Sequence, residues 1–304
     1  FMVLVGRAVL IASAVLWRLI SLSLCPLLAH ILHLRVMLTF GWLGFPALGI
    51  AGLAIGGGIA MTVTIIIFLL IWIFGGFHFK PSNPTPDFLS NGKTLINIGL
   101  PAAFEQAFFQ GGLLIFMVFL AGYGSAPFAA YGIGLSILGL VIVVAFSFSI
   151  SSATLVSQHL GAGDFKGAYD AGWKTMRTCL YVMITGSVVM CWYAHDIARF
   201  MIDDPEVIRH MVQFTYILGA CLPLMAVEFS MAGALRGAGD TRYPMMVTVF
   251  SILLTRIIAP WVLVTMGAEV VWLYATSLVD FSIKSSLNMR RFRKKSWLKA
   301  HSQQ

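Results

Sequence analysis

Residues 53–74 read LAIGGGIAMTVTIIIFLLIWIF, from Leu53 to Phe74, with no charge and no proline. The run exceeds the ~18 apolar residues that mark a membrane-spanning helix. The rest of the chain has the same character. Of its 304 residues 59% are hydrophobic and 11% charged, where a soluble globular domain averages about 25% charged. So few charges cannot cover a water-facing surface. The fold class that follows is all-α: a polytopic helix bundle in a membrane. One partial apolar segment spans residues 1–20. Full segments follow near 26–45, 49–77, 95–120, 127–155, 173–194, 208–235, 244–266 and 270–288. The connections are short except for HFKPSNPTPDFLSNGKT (His78 to Thr94), whose prolines mark it as a linker. It separates a first membrane lobe (1–77) from a second (95–288), which is followed by a basic tail (289–304).

Alternate connections must face opposite sides of the membrane, so their charges test this layout. One set holds Arg18, Lys80, Lys93, Lys166, Lys174, Arg177, Arg236 and Arg242. It also holds the tail residues Arg290, Arg291, Arg293, Lys294, Lys295 and Lys299. The other holds Arg199 and Arg209 against Asp196, Asp203, Asp204, Glu206 and Glu269. The positive-inside rule assigns the first set and the C-terminus to the cytoplasm of an inner or plasma membrane. The net charge of +8 is therefore read as topology and, second, as a lipid headgroup site, not as a nucleic-acid surface. The four cysteines, Cys25, Cys179, Cys191 and Cys221, lie in or beside apolar stretches without CxxC spacing, as small core or lipid-facing residues do. The chain opens at Phe1 in an apolar stretch without a signal-peptide pattern, so an N-terminal portion is expected to be missing.

The tetrapeptide GAGD occurs twice, in HLGAGDFKGA (His159 to Ala168) and LRGAGDTRYP (Leu235 to Pro244). A phosphate loop needs a preceding strand and a following lysine, and neither copy has them. Both fall in turns on the basic side, where glycine permits a tight reversal and Asp164 and Asp240 are expected to cap the next helix. The second copy also places Arg236 eight residues before Pro244, as Arg18 stands eight before Pro26. This suggests two lobes of similar build.

Several stretches in this order carry a family resemblance. GLPAAFEQ (Gly99 to Gln106) looks like the start of the seventh helix of the multidrug and toxic compound extrusion (MATE) family. ATLVSQHLGAGDFKGA resembles the family's loop between helices eight and nine. DDPEVI (Asp203 to Ile208) and GALRGAGDTRYPM are similar to the region around helix ten, and GFPALGIAGLAI (Gly44 to Ile55) to the turn between helices five and six. The resemblance covers roughly residues 26–295. It implies a two-lobed bundle of twelve helices, of which this chain would hold the end of helix four, helices five and six, and the complete second lobe. It also implies an antiporter that expels organic, often cationic, compounds in exchange for H⁺ or Na⁺, with no other cofactor.

Ionisable residues inside membrane helices are functional candidates by default. Glu105 follows Pro101 by four residues, and a proline suits a first helical turn. That puts Glu105 ~6 Å along its helix, with Gln106 and Gln110 on an adjacent face and Phe109 one turn on. A carboxylate beside aromatic rings suits an organic cation; the alternative is a glutamate that merely favours a helix N-terminus. The resemblance implies that Glu105 belongs to the coupling site. Glu228 precedes Arg236 by eight residues, ~10 Å inside the same end, and is expected to share a cavity with Glu105. Its alternative is a structural hydrogen-bond partner; the family's acidic position one turn earlier is Met225 here. Asp280, also a coupling candidate, precedes Lys284 by four residues, the spacing of a local ion pair. The resemblance suggests that Arg256 is structural. His30 and His33 read as packed or interfacial, and no metal motif or catalytic constellation appears. A buried carboxylate holds a proton more readily than a solvated one. Proton uptake at Glu105 would then release a bound cation, its loss would recruit the next, and lobe rocking would give alternating access. The competing expectations are a lipid-linked oligosaccharide flippase, which would want a more basic cavity, and a transport-inactive part of a longer exporter. A lipid enzyme built on His159 and its neighbouring serines is a poor third. The expected partners are a small organic substrate and the bilayer; substrate and oligomeric state are not fixed by the sequence.

Overall fold

A computed structural model describes residues 37–39, 41, 48–73, 88–295 and 297, with no strand among them. The elements are α1 (Gly49–Ile73), α2 (Phe88–Ala121), α3 (Ser125–Gly161), α4 (Phe165–Trp192), the short α5 (Ala194–Met201) and α6 (Pro205–Gly237). They continue with α7 (Arg242–Ile252), a π-helical segment (Leu253–Ile258), α8 (Ala259–Thr265) and α9 (Val270–Arg293). The chain divides into two compact units, Phe1–Phe88 and Leu89–Gln304. In the first, the uncharged helix α1 lies with Gly52 against the Leu38 carbonyl. The repeat residues Arg18 and Pro26, with Cys25, His30, His33, Arg35 and most of the 78–94 linker, lie outside the described residues.

In the second unit, five stretches are long and apolar enough to cross a membrane: Gly99–Ala121, Ser125–Gly161, Phe165–Trp192, Pro205–Gly237 and Arg242–Thr265. Helix α9 has the length, 24 residues, but Asp280 and Lys284 lower its hydropathy. Helix α2 begins at Phe88, seven residues before the expected start, so residues 88–94 are helix and not linker. Pro101 therefore lies inside the helix, not in its first turn. A mid-helix proline forfeits one backbone bond and crowds the preceding turn, but membrane helices tolerate it because neighbours re-satisfy the freed groups. Glu105 is thus a mid-helix residue, ~9 Å from the start of the apolar span at Gly99. The reading as an N-terminal glutamate does not hold.

Helix α6 is the axis of this unit. Over its apolar span 72% of residues are buried, against 22% for α2 and α3. Lipid is as apolar as leucine, so membrane helices associate through close fit and polar contacts rather than by hydrophobic burial. Here the fit comes from Gly233 and Gly237, whose Cα atoms abut the backbone carbonyls of Ser149 and Ala153 on α3. Any side chain would force the two backbones apart. Towards the other end, Phe116, Tyr131, Phe214 and Tyr274 form a ring cluster with centroids 5.2–6.2 Å apart. The Tyr274 hydroxyl donates to the Pro127 carbonyl at 3.1 Å. Pro260 cannot supply an N–H to the turn before it, and that turn widens into the π-helical segment, which carries Arg256.

The two GAGD copies form one and the same helix stop. Gly163 (φ +75°) and Gly239 (φ +85°) adopt the left-handed conformation open to glycine. The Asp164 amide donates to the His159 carbonyl and the Asp240 amide to the Leu235 carbonyl, both at 2.9 Å. The glycine amides donate to Leu160 and Arg236. These are the paired bonds of a Schellman motif. The aspartates then part ways. Asp164 caps α4, accepting from the Gly167 amide at 2.8 Å. That bond, helped by His159, holds its carboxyl below the usual value despite some opposing desolvation. Asp240, expected as a cap, caps nothing: it accepts from Arg291 Nε at 2.9 Å. The arginine of α9 outcompetes a backbone amide because a charge-assisted bond is stronger than a neutral one. Tyr169, Phe292 and Trp297 stack at the same end, with centroids 5.5 Å apart. Both turns and the end of α9 therefore meet at one end of the unit.

Candidate functional site

The α6–α3 seam fixes the site. Arg236 stands between Gly233 and Gly237, so close packing of those glycines sets its guanidinium beside Ser149, which lies 3.4 Å from it. The same guanidinium donates to Glu105 Oε1 at 2.6 Å, and Thr248 of α7 donates to that oxygen at 3.2 Å. Three helices thus meet at one carboxylate, and α3 joins them through Arg236. Glu105 is 8% exposed, and its ion pair crosses from α2 to α6. Arg236 was counted in the sequence as a loop charge. Helix α6 runs to Gly237, which turns that loop residue into a cavity-lining one.

Glu228 lies two turns back along α6, ~14 Å from the end of the apolar span. It is 6% exposed, and its Oε2 has no hydrogen-bond partner. Glu105, Gln106, Phe109, Glu228, Arg236 and Lys284 line a single cavity, so the structure brings both glutamates together with Gln106 and Phe109. Phe146, Phe229, Thr248 and Phe281 complete its wall. The cavity is about 30 Å³, room for a water or two and far below the ~300–1,000 Å³ of small-molecule sites. The cation over the Phe109 ring is the protein's own Lys284, 5.6 Å from its centroid. Gln110 is exposed and does not reach the cavity.

Asp280 does not line the cavity either. Lys284 donates to it at 2.9 Å, the Ser251 hydroxyl donates to its other oxygen, and Arg256 approaches to 3.9 Å. Arg256 also lies 4.8 Å over the Phe116 ring. The expected i,i+4 pair is present, joined by two α7–π residues that sequence reading did not connect to it. Lys284 belongs to both assemblies, as it is bonded to Asp280 and faces the cavity. Among the described residues, three carboxylates (Glu105, Glu228, Asp280) and three cations (Arg236, Arg256, Lys284) therefore balance in the membrane part of the second unit, and Glu228 is the acid of the three without a direct partner there. Among the described residues no group of three metal-binding side chains occurs.

The MatE family model matches residues 101–262, the stretch that contains Glu105, Glu228 and Arg236. A probable multidrug resistance protein NorM of Thermotoga maritima is 27% identical over 88% of this chain and 58% of its own length. An uncharacterized transporter, YisQ, of Bacillus subtilis is 24% identical over 85% of this chain and 57% of its own. The chain thus spans little more than half the length of these relatives. An outward-facing structure of a multidrug resistance MATE family transporter superposes with a TM-score of 0.64 at 19% identity, covering 68% of this chain and 46% of that one.

Proposed function

This chain belongs to the MatE family of membrane transporters, and from that premise we propose that it takes part in cation-coupled export of organic, often cationic, compounds, with Glu228 and Glu105 as the carboxylates that exchange the coupling ion. The observation that carries this reading is Glu228: a buried acid with an unpartnered oxygen in a cavity of water size. A lone carboxylate in a low-dielectric interior costs several kcal/mol, and a proton or a bare sodium ion relieves that cost. An organic cation is too large for the space as it stands. The coupling ion and the exported compound therefore use different volumes, and the cavity must open before both can compete for one carboxylate. Arg236 supports the reading, since it already satisfies Glu105 in the closed arrangement. An ion arriving at Glu228 weakens that acid's pull on Arg236 and Lys284 and redistributes the remaining pairs. Such a redistribution is a means of linking ion occupancy to helix position.

The test uses the purified chain in vesicles loaded with a fluorescent organic cation, under an imposed proton or sodium gradient. The wild-type chain is expected to show gradient-driven export under one of the two. Glu228→Gln is expected to remove at least about 90% of it while the protein still inserts. Unimpaired export by Glu228→Gln would overturn the assignment of the ion site.

A further inference from the structure

Helix α9 carries its charges on two different faces. Asp280 and Lys284 point inward, where they pair. Leu278, Val279, Ser282, Ile283, Ser286, Leu287 and Arg290 form the wall of an open furrow of about 400 Å³ on the opposite side. Their spacing of three and four residues is that of a single helical stripe. The two serines make the furrow, because small side chains lie between larger aliphatic ones, and Ser282 returns its hydroxyl to the Leu278 carbonyl at 2.6 Å, leaving the surface apolar. The stripe changes character at one point. From Leu278 to Leu287 it is uncharged, and Arg290, Arg293 and Lys294 then continue it at the same helical spacing. All three are exposed and have no ion pair among the described residues. Their neighbours are engaged elsewhere: Arg291 holds Asp240, and Lys295 lies over the Tyr169 ring at 4.8 Å. Trp297 is tucked behind Phe292, donating to its carbonyl at 3.0 Å. This anchors the end of the helix and keeps the three free bases on the furrow side.

We propose that this face binds one anionic phospholipid, with an acyl chain in the furrow from Leu278 to Leu287 and the headgroup phosphate at Arg290, Arg293 and Lys294. The dimensions agree. Leu278 to Arg290 is ~18 Å along the helix, close to the ~15 Å depth of one leaflet's hydrocarbon. The apolar-to-basic order along α9 thus matches the tail-to-headgroup order of a lipid standing in that leaflet. Charge selects the headgroup: each base near the membrane surface favours an anionic lipid by about fivefold.

The experiment offers the delipidated, detergent-solubilised chain equal amounts of phosphatidylglycerol and phosphatidylcholine and counts retained lipids by native mass spectrometry. One phosphatidylglycerol is expected to be retained at least about tenfold over phosphatidylcholine. Two variants separate the contributions. R290Q/R293Q/K294Q should bring the two lipids to parity. Ser286→Phe should reduce phosphatidylglycerol retention by about fivefold or more with all three bases present. Both alter surface positions, and circular dichroism checks their helicity; if one fails to fold, the other alone decides. Four outcomes would overturn the proposal. They are equal retention of both lipids by the wild-type chain, a preference that survives the variants, full competition by free glycerol phosphate, and a dimer that Ser286→Phe dissociates, which would assign the face to a second copy.

Discussion

Arg236 and Glu105 show how one residue's meaning depends on what faces it. In sequence Arg236 is one basic residue in a turn-forming stretch, and Glu105 is a carboxylate near a proline. In the folded chain they lie 2.6 Å apart, on α6 and α2. The pair is about a quarter exposed on the arginine side, so it falls short of the 3–5 kcal/mol typical of breaking a fully buried pair. Arg236→Gln should cost about 2 kcal/mol, allowing for solvent screening. Adding Glu105→Gln should return part of that loss, because the stranded carboxylate disappears with its partner. Thermal unfolding of the two single variants and the double variant in detergent measures this. A double variant less stable than the sum of the singles would refute a direct pair. Glu228 was recognisable in the sequence because an acid inside LPLMAVEFSMAGALRG has no local partner. Gln110 and Asp280 were chosen on the same helical arithmetic. They differ from Glu228 because side-chain direction and cross-helix partners, not spacing, decide which side chains reach a cavity.

Helix type and approximate ends were legible because apolar runs and turn residues are local signals. The errors lie where a local signal has two meanings. Pro101 marks a helix start in water but is tolerated within a membrane helix. The aspartate of GAGD is a cap when nothing better is in reach, as at Asp164, and an ion-pair partner when an arginine is, as at Asp240. Of the α6–α3 seam glycines, Gly237 belongs to the GAGD turn and Gly233 carries no turn signal; the larger role of both is contact. A side chain at Gly237 would meet the Ala153 backbone, which cannot rotate out of the way. Gly237→Leu should therefore destabilise the bundle by about 1–3 kcal/mol and, by moving Arg236, impair the Glu105 pair as well. Gly139→Ala in α3 serves as the control, since nothing lies within 4 Å of a Cβ there and its backbone is helical. Equal unfolding midpoints for the two variants would show that the seam is not tight.

The whole second unit gathers the two GAGD turns and the end of α9 at one end, tied by Asp240–Arg291, Tyr169–Phe292 and a Tyr243–Arg291 ring contact at 4.8 Å. A single cysteine introduced at Lys166, Arg242 or Lys294 should react with an impermeant thiol reagent from one side of the membrane, and one at Asp203 or Glu269 from the other. The four native cysteines, Cys25, Cys179, Cys191 and Cys221, would be replaced first, and labelling of all five positions from the same side would refute the layout. The sequence by itself determined that this is an all-helical membrane protein, roughly which of the described stretches form helices, and which family it resembles. Those properties follow from composition, apolar run length and motif order, all of which are written along the chain. Only the tertiary structure decided that Glu105 is paired by Arg236, that Glu228 is left facing a cavity of water size, and that Asp280 is tied up with Lys284, Ser251 and Arg256. Each of those outcomes depends on which helix face meets which. In an apolar solvent that choice rests on backbone fit at residues such as Gly233 and Gly237 and on long-range ion pairs, neither of which has a period in the sequence.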